Sequence, residues 1–88
     1  MVAASHEEII ARNARTYVSH INRIGFVKDP KAYGMARRNL RNGLIADTLK
    51  DLREAEGYDE FKARNKITTE KRLVRFVLKD FLAREKES

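Results

Sequence analysis

From the first turn-forming residues onward, apolar positions recur at spacings of three and four, the period of an α-helix. Ile10, Ala14, Tyr17, Ile21 and Ile24 form one stripe, widened by Val18, while Arg12, Arg15, Ser19 and Arg23 occupy the opposite face. Ser5 followed by Glu8 is a capping-box pair, in which side chains satisfy orphan amides at the helix start. Gly25 is a suitable stop, and Phe26 to Lys28 make the connection. Asp29-Pro30 then restarts the chain, with the aspartate at N-cap and the proline at N1, where its missing N–H removes no bond.

The next segment has two apolar faces. Tyr33, Ala36, Leu40 and Leu44 line the first, and Ile45, Leu49 and Leu52 line a second, rotated by more than a quarter turn. Either one long helix serves two partners in turn, or the chain breaks near Asn42-Gly43. Asn-Gly is a turn signal, and a glycine inside a helix costs about 1 kcal/mol, so the reading favours a break. Gly57 closes this segment, Asp59 caps a short helix that buries Phe61, and Thr68 or Thr69 caps a last helix. That helix clusters Leu73, Val74, Val77, Leu78 and Phe81 on a broad apolar side.

These signals predict helices over roughly 6–24, 30–41, 43–56, 60–66 and 69–85. Residues 73–78 also suit a buried strand by preference, but no second strand-like run exists to pair with them. The expected fold is all-α, a compact bundle of four to five helices with short loops, in one domain spanning 1–88. Arg-Asn recurs at Arg12-Asn13, Arg38-Asn39 and Arg64-Asn65, yet the apolar positions do not recur with it: Val18 aligns with Leu44 and then with Glu70. The chain is therefore read as having no internal repeat.

Composition narrows the classes. Of 88 residues, 42% are hydrophobic and 36% charged, against roughly 25% charged in an average soluble protein. The absence of cysteine excludes disulfides, thiolate nucleophiles and cysteine-held zinc. Arg75 interrupts the strongest apolar run, whereas a membrane span needs about 20 consecutive apolar residues. The first eight residues lack a basic stretch and an apolar stretch of the kind a targeting signal carries. A soluble intracellular protein, cytoplasmic or nucleoid/nuclear, is expected.

Charge changes the picture most. Net charge is +6, unevenly placed: +7 over residues 9–46, −4 over 47–60 and +6 over 61–79. Lys71, Arg75 and Lys79 fall four apart on the last helix with Arg72 beside them, opposite Leu73, Val77 and Phe81. Arg12, Arg15 and Arg23 make a second stripe, and Arg37, Arg38 and Arg41 a third cluster. Like charges four apart on a helix repel by a few tenths of a kcal/mol. Unmixed stripes suit a phosphate backbone, although outer-face cations are also the ordinary solvated surface of a helix. Residues 60–79 also scan as helix, brief turn and helix, placing Thr69, Lys71, Arg72 and Arg75 on leading turns, but the usual turn glycine is missing.

Other chemistry is sparse. His6 in the first turn reads as solvated and His20 as a boundary residue. Asp47 and Asp51, four apart, would need further ligands to hold a divalent cation. No glycine-rich phosphate loop, nucleophile elbow or zinc spacing occurs, so neither an enzyme nor a cofactor site is expected. Tyr17, Tyr33 and Phe81 lie on apolar stripes, leaving Phe26 and Tyr58 as the aromatics near loops. That favours a duplex gripped by its backbone over stacked single strands. The leading expectation is a small basic regulator that grips duplex nucleic acid through Lys71, Arg72, Arg75, Lys79, Arg12, Arg15, Arg37, Arg38 and Arg41. The competing one is a protein–protein module, a homodimer or an adaptor for an acidic protein surface, using Leu73, Phe76, Val77 and Phe81 as its interface.

Overall fold

A computed structural model of the chain describes residues 5–24 and 29–87. Its helices are α1 (His6–Ile24), α2 (Pro30–Glu54), α3 (Tyr58–Arg64) and α4 (Glu70–Glu87). The start signals act as their chemistry requires. Ser5 Oγ accepts from the Glu8 amide at 3.1 Å, Asp29 accepts from Lys31 at 3.0 Å, and Thr69 Oγ1 accepts from Arg72 at 3.1 Å. Each oxygen satisfies an N–H that the first helical turn leaves without a partner. The Gly25 stop and the connection through Phe26 to Lys28 lie outside the described residues.

The expected break at Asn42-Gly43 does not occur: α2 runs unbroken from Pro30 to Glu54. Two physical reasons explain this. First, the rotated apolar faces serve two different clusters. Leu44 packs with Ala14, Val18, Ile21 and Phe81, whereas Leu49 and Leu52 pack with Ile9, Ile10, Phe61, Ile67, Leu73 and Val77. Second, Gly43 faces α1 where Tyr17 crosses, and a Cβ there would stand 3.3 Å from the Tyr17 hydroxyl. Close approach, not a turn, is what the glycine supplies.

The start of α3 also differs. Gly57, left-handed at φ 82°, takes the N-cap position, so Asp59 lies inside the first turn instead of capping it. The far end closes in a Schellman pattern: the Ile67 amide donates to Lys62 at 2.8 Å and the Lys66 amide to Ala63 at 3.2 Å. Lys66 adopts φ 56°, the conformation usually given to glycine. The turn glycine missing from the sequence is thus replaced by a strained lysine. Burying Ile67 beside Phe61 anchors it.

Side-chain pairs set the directions. Asn13 donates to Thr48 at 3.0 Å and to Asp51 at 3.1 Å, and Tyr17 donates to Asp47, so α1 and α2 run antiparallel. Arg37 with Glu85 and Arg53 with Glu70 make α2 and α4 antiparallel as well. Three long helices therefore pack as a triangle, α1 parallel to α4, and α3 closes the end that contains Phe61. Among the described residues there is no strand, and no helix is long and apolar enough to cross a membrane.

Candidate nucleic-acid interface

On α4 the buried residues Leu73, Val77 and Phe81 define the inward direction. At 3.6 residues per turn, Lys71, Arg72, Arg75 and Lys79 point the opposite way, and all four are exposed. Lys86 continues the same line, seven residues beyond Lys79, and is also exposed. It was legible as a continuation of the period, but the mixed signs of the last eight residues hid it. Leu82 sits within this cationic face and is 42% exposed.

The arginines of α2 divide by role. Arg37 is a strut: its Nε donates to Glu85 at 2.9 Å and a second guanidinium N–H donates to the other carboxylate oxygen. This two-pronged pair is partly buried, with side-chain exposures of 30% and 22%, and its hydrogen bond raises the Arg37 pKa. Arg37 is therefore committed to holding α2 against α4. Arg38 is exposed and Arg41 half-buried. No Asp or Glu occurs on α2 between Pro30 and Ala46, nor on α4 between Lys71 and Lys79. Arg38 and Arg41 are thus cations of a carboxylate-free stretch of α2.

Three of the six carboxylates of the acidic stretch are engaged with other partners. Asp47 accepts from Tyr17 and Asp51 from Asn13, both toward α1, and Asp59 pairs with Lys62 at 3.9 Å. The bond to Asp47, with burial second, pushes the Tyr17 pKa up to about 12, so the phenol stays a donor. One oxygen of the Asp47 and Asp51 carboxylates, Oδ2 in each, thus serves the α1/α2 seam. Among the described residues, no group of three or more His, Asp or Glu side chains is placed to hold a metal. Nor, among them, does an ion pair join Lys71, Arg72, Arg75, Lys79, Arg38 or Arg41 to a carboxylate.

Arg12 and Arg15 are exposed too, but on α1. Both lie on the side of α1 away from its buried residues, and Arg15 lines a groove with Ser19 of α1 and Arg84 and Glu87 of α4. The leading turn of α4 carries Glu70, which pairs with Arg53 at 3.2 Å, and the Thr69 hydroxyl is occupied as a cap. Cations are spread along α4 instead of gathered at its first turn. This arrangement presents the helix side-on, not end-on.

Three residues read as a contact surface between copies turn out to be core. Leu73, Val77 and Phe81 are 2%, 1% and 0% exposed, closed over by α1 and α2. Phe76 is half-buried and meets Phe61 edge-on at 5.6 Å. His6 is a second correction. It is buried, stacked on Phe61 with centroids 4.8 Å apart, and its Nε2 has no hydrogen-bond partner. A first-turn position does not reveal that α3 folds back over it. Tyr58, half-buried, carries Lys62 Nζ 4.6 Å from its ring centroid.

Comparison with known protein families, curated proteins and solved structures finds no match. The chemistry of the surface is therefore the basis for the functional reading.

Proposed function

We propose that the protein is a non-enzymatic binder of duplex nucleic acid that lays α4 side-on against the phosphate backbone. Lys71, Arg72, Arg75 and Lys79 form the central contact, and Arg38 and Arg41 extend it from α2. The observation that carries this reading is the run of exposed Lys71, Arg72, Arg75 and Lys79 on the outward face of α4, with no Asp or Glu between Lys71 and Lys79. A solvated surface gains nothing from such unmixed charge, whereas a polyanion releases a counterion at each contact. No aromatic residue falls among Lys71, Arg72, Arg75 and Lys79 on the outward face of α4, where single strands would need stacking platforms. The homodimer reading loses its motive, because the apolar side of α4 is consumed inside the bundle.

The test is fluorescence anisotropy with a short duplex at several salt concentrations. Six contacts give a slope of log affinity against log salt of about −5.4, or roughly 1,800-fold weaker binding between about 50 and 200 mM salt. Binding that ignores salt, or no binding to either DNA or RNA duplex, removes the proposal.

A further inference from the structure

We infer that the crevice between α1 and α4 is a docking groove for an acidic amphipathic helix of a partner protein, a role that goes beyond the duplex contact and does not depend on it. One groove of 370 Å³ along this crevice is lined by Glu7 and Ile10 of α1 and by Phe76, Lys79, Asp80 and Ala83 of α4. Of the four residues that the sequence offers as an interface, Phe76 alone is not buried, and this is where it reaches the surface. Ile10, Phe76 and Ala83 give the groove an apolar floor, and the exposed Ala83 ends at its Cβ, which leaves the space above it open. From Phe76 to Ala83 the helix advances seven residues, about 10 Å. A row of apolar side chains at i, i+4 and i+7 on a second helix has the same span, and such rows are the anchors of helix-in-groove recognition. Toward the C-terminal ends of both helices a further groove is lined by Arg15 and Ser19 of α1 with Arg84 and Glu87 of α4, so the crevice continues past the first anchors.

Charge decides which helix fits. Glu7 is held by Arg64 at 2.6 Å and Asp80 by Arg84 at 3.0 Å. Lys79, the remaining charge lining the apolar groove, has no ion-pair partner among the described residues. On the flank of α1, Arg12 and Arg15 also stand without an ion pair among those residues. Lys79, Arg12 and Arg15 thus outnumber Glu8 and Glu87 among the unpaired charges along the crevice. A partner whose apolar row is flanked by carboxylates meets these cations, whereas a basic one sets like charge against Lys79.

The probe is a fluorescent, alanine-based helical peptide of about 15 residues with leucines at i, i+4 and i+7 and glutamates beside them. A twin peptide carries lysines in place of the glutamates. The wild-type chain should bind the glutamate peptide saturably by anisotropy, at least about tenfold more tightly than the twin. In amide NMR spectra of the full chain, Ile10, Phe76 and Ala83 should shift more than Lys71 and Arg75. A83Q fills the groove from an exposed helical position without changing charge. It should weaken the glutamate peptide by about tenfold or more while keeping its helical circular dichroism and its duplex binding. K79Q should weaken the peptide by about twofold to fivefold. Equal binding by A83Q and wild type, equal binding of the two peptides, or no saturable binding by the wild-type chain overturns the docking role. A chain that binds the glutamate peptide in this pattern but no duplex removes the phosphate reading and leaves the groove standing.

Discussion

Gly43 sits in the middle of α2 against the Tyr17 ring, and replacing it with alanine sets two known effects against each other. Alanine in place of glycine inside a helix gains about 1 kcal/mol. The added methyl would stand 3.3 Å from the Tyr17 Oη and 3.5 Å from its Cε1, so the ring must shift by a few tenths of an ångström. That ring is poorly placed to give way, because its hydroxyl donates to Asp47 and its edge meets His20 with centroids 5.7 Å apart. Forcing a side chain off its preferred rotamer costs about 0.5–1.5 kcal/mol. G43A in the wild-type chain should therefore leave stability within about 0.5 kcal/mol of unchanged. In a Tyr17→Phe background the tightest contact disappears and the next, at 3.5 Å, is ordinary van der Waals packing. There G43A should recover the full helical gain of about 1 kcal/mol, a coupling of about 0.5–1.5 kcal/mol between the sites. Urea denaturation followed by circular dichroism, with m unchanged, reads all four corners of the cycle. Equal stabilisation in both backgrounds would show that Tyr17 does not constrain Gly43, and the account of the unbroken helix would fail.

Three further outcomes follow from individual residues. Lys66→Gly should raise stability by about 1 kcal/mol, because glycine adopts the left-handed cap without strain; thermal unfolding should shift upward by about 4–8 °C, and an unchanged midpoint would count against the strain. His6→Phe should keep the stack on Phe61 while removing the buried, unpartnered Nε2, stabilising by about 1 kcal/mol in urea; a loss instead would mean that Nε2 has a use in the fold. The Glu7 carboxyl is held below its ordinary pKa of 4.5 by a backbone hydrogen bond first and Arg64 second. Its contribution is therefore fully present above 4.5 and is lost as pH falls through the lowered folded value. The stability difference between wild type and E7Q should shrink on acidification through that range, and a difference that stays constant would refute the linkage.

Much of the fold was legible because caps and apolar period are local. Ser5, Asp29-Pro30 and Thr69 mark helix starts by chemistry that operates within three residues, and the structure uses all three. What stayed illegible depends on residues distant in sequence. Asn42-Gly43 carries the local signature of a turn, and only the arrival of Tyr17 from another helix explains why the glycine stays helical. His6 looked solvated because the ring that covers it, Phe61, comes from α3. The same limit applies to the cations. Each stripe is visible along its own helix, but the sequence does not disclose that Arg37 is tied to Glu85. The breadth of the apolar side of α4 admitted both a core and a dimer surface, and packing by two other helices decided for the core.

The account turns on the α4 stripe acting as a phosphate contact, and the salt dependence of K71A/R75A/K79A examines that most directly. Removing three contacts should make the slope of log affinity against log salt shallower by about 2.7 and weaken binding roughly 500-fold near 0.1 M salt. The same variant should be slightly more stable than wild type, since two like-charge pairs four apart are relieved, each by a few tenths of a kcal/mol. A slope and affinity indistinguishable from wild type in a folded variant would contradict it, leaving those lysines and that arginine as ordinary solvated charge.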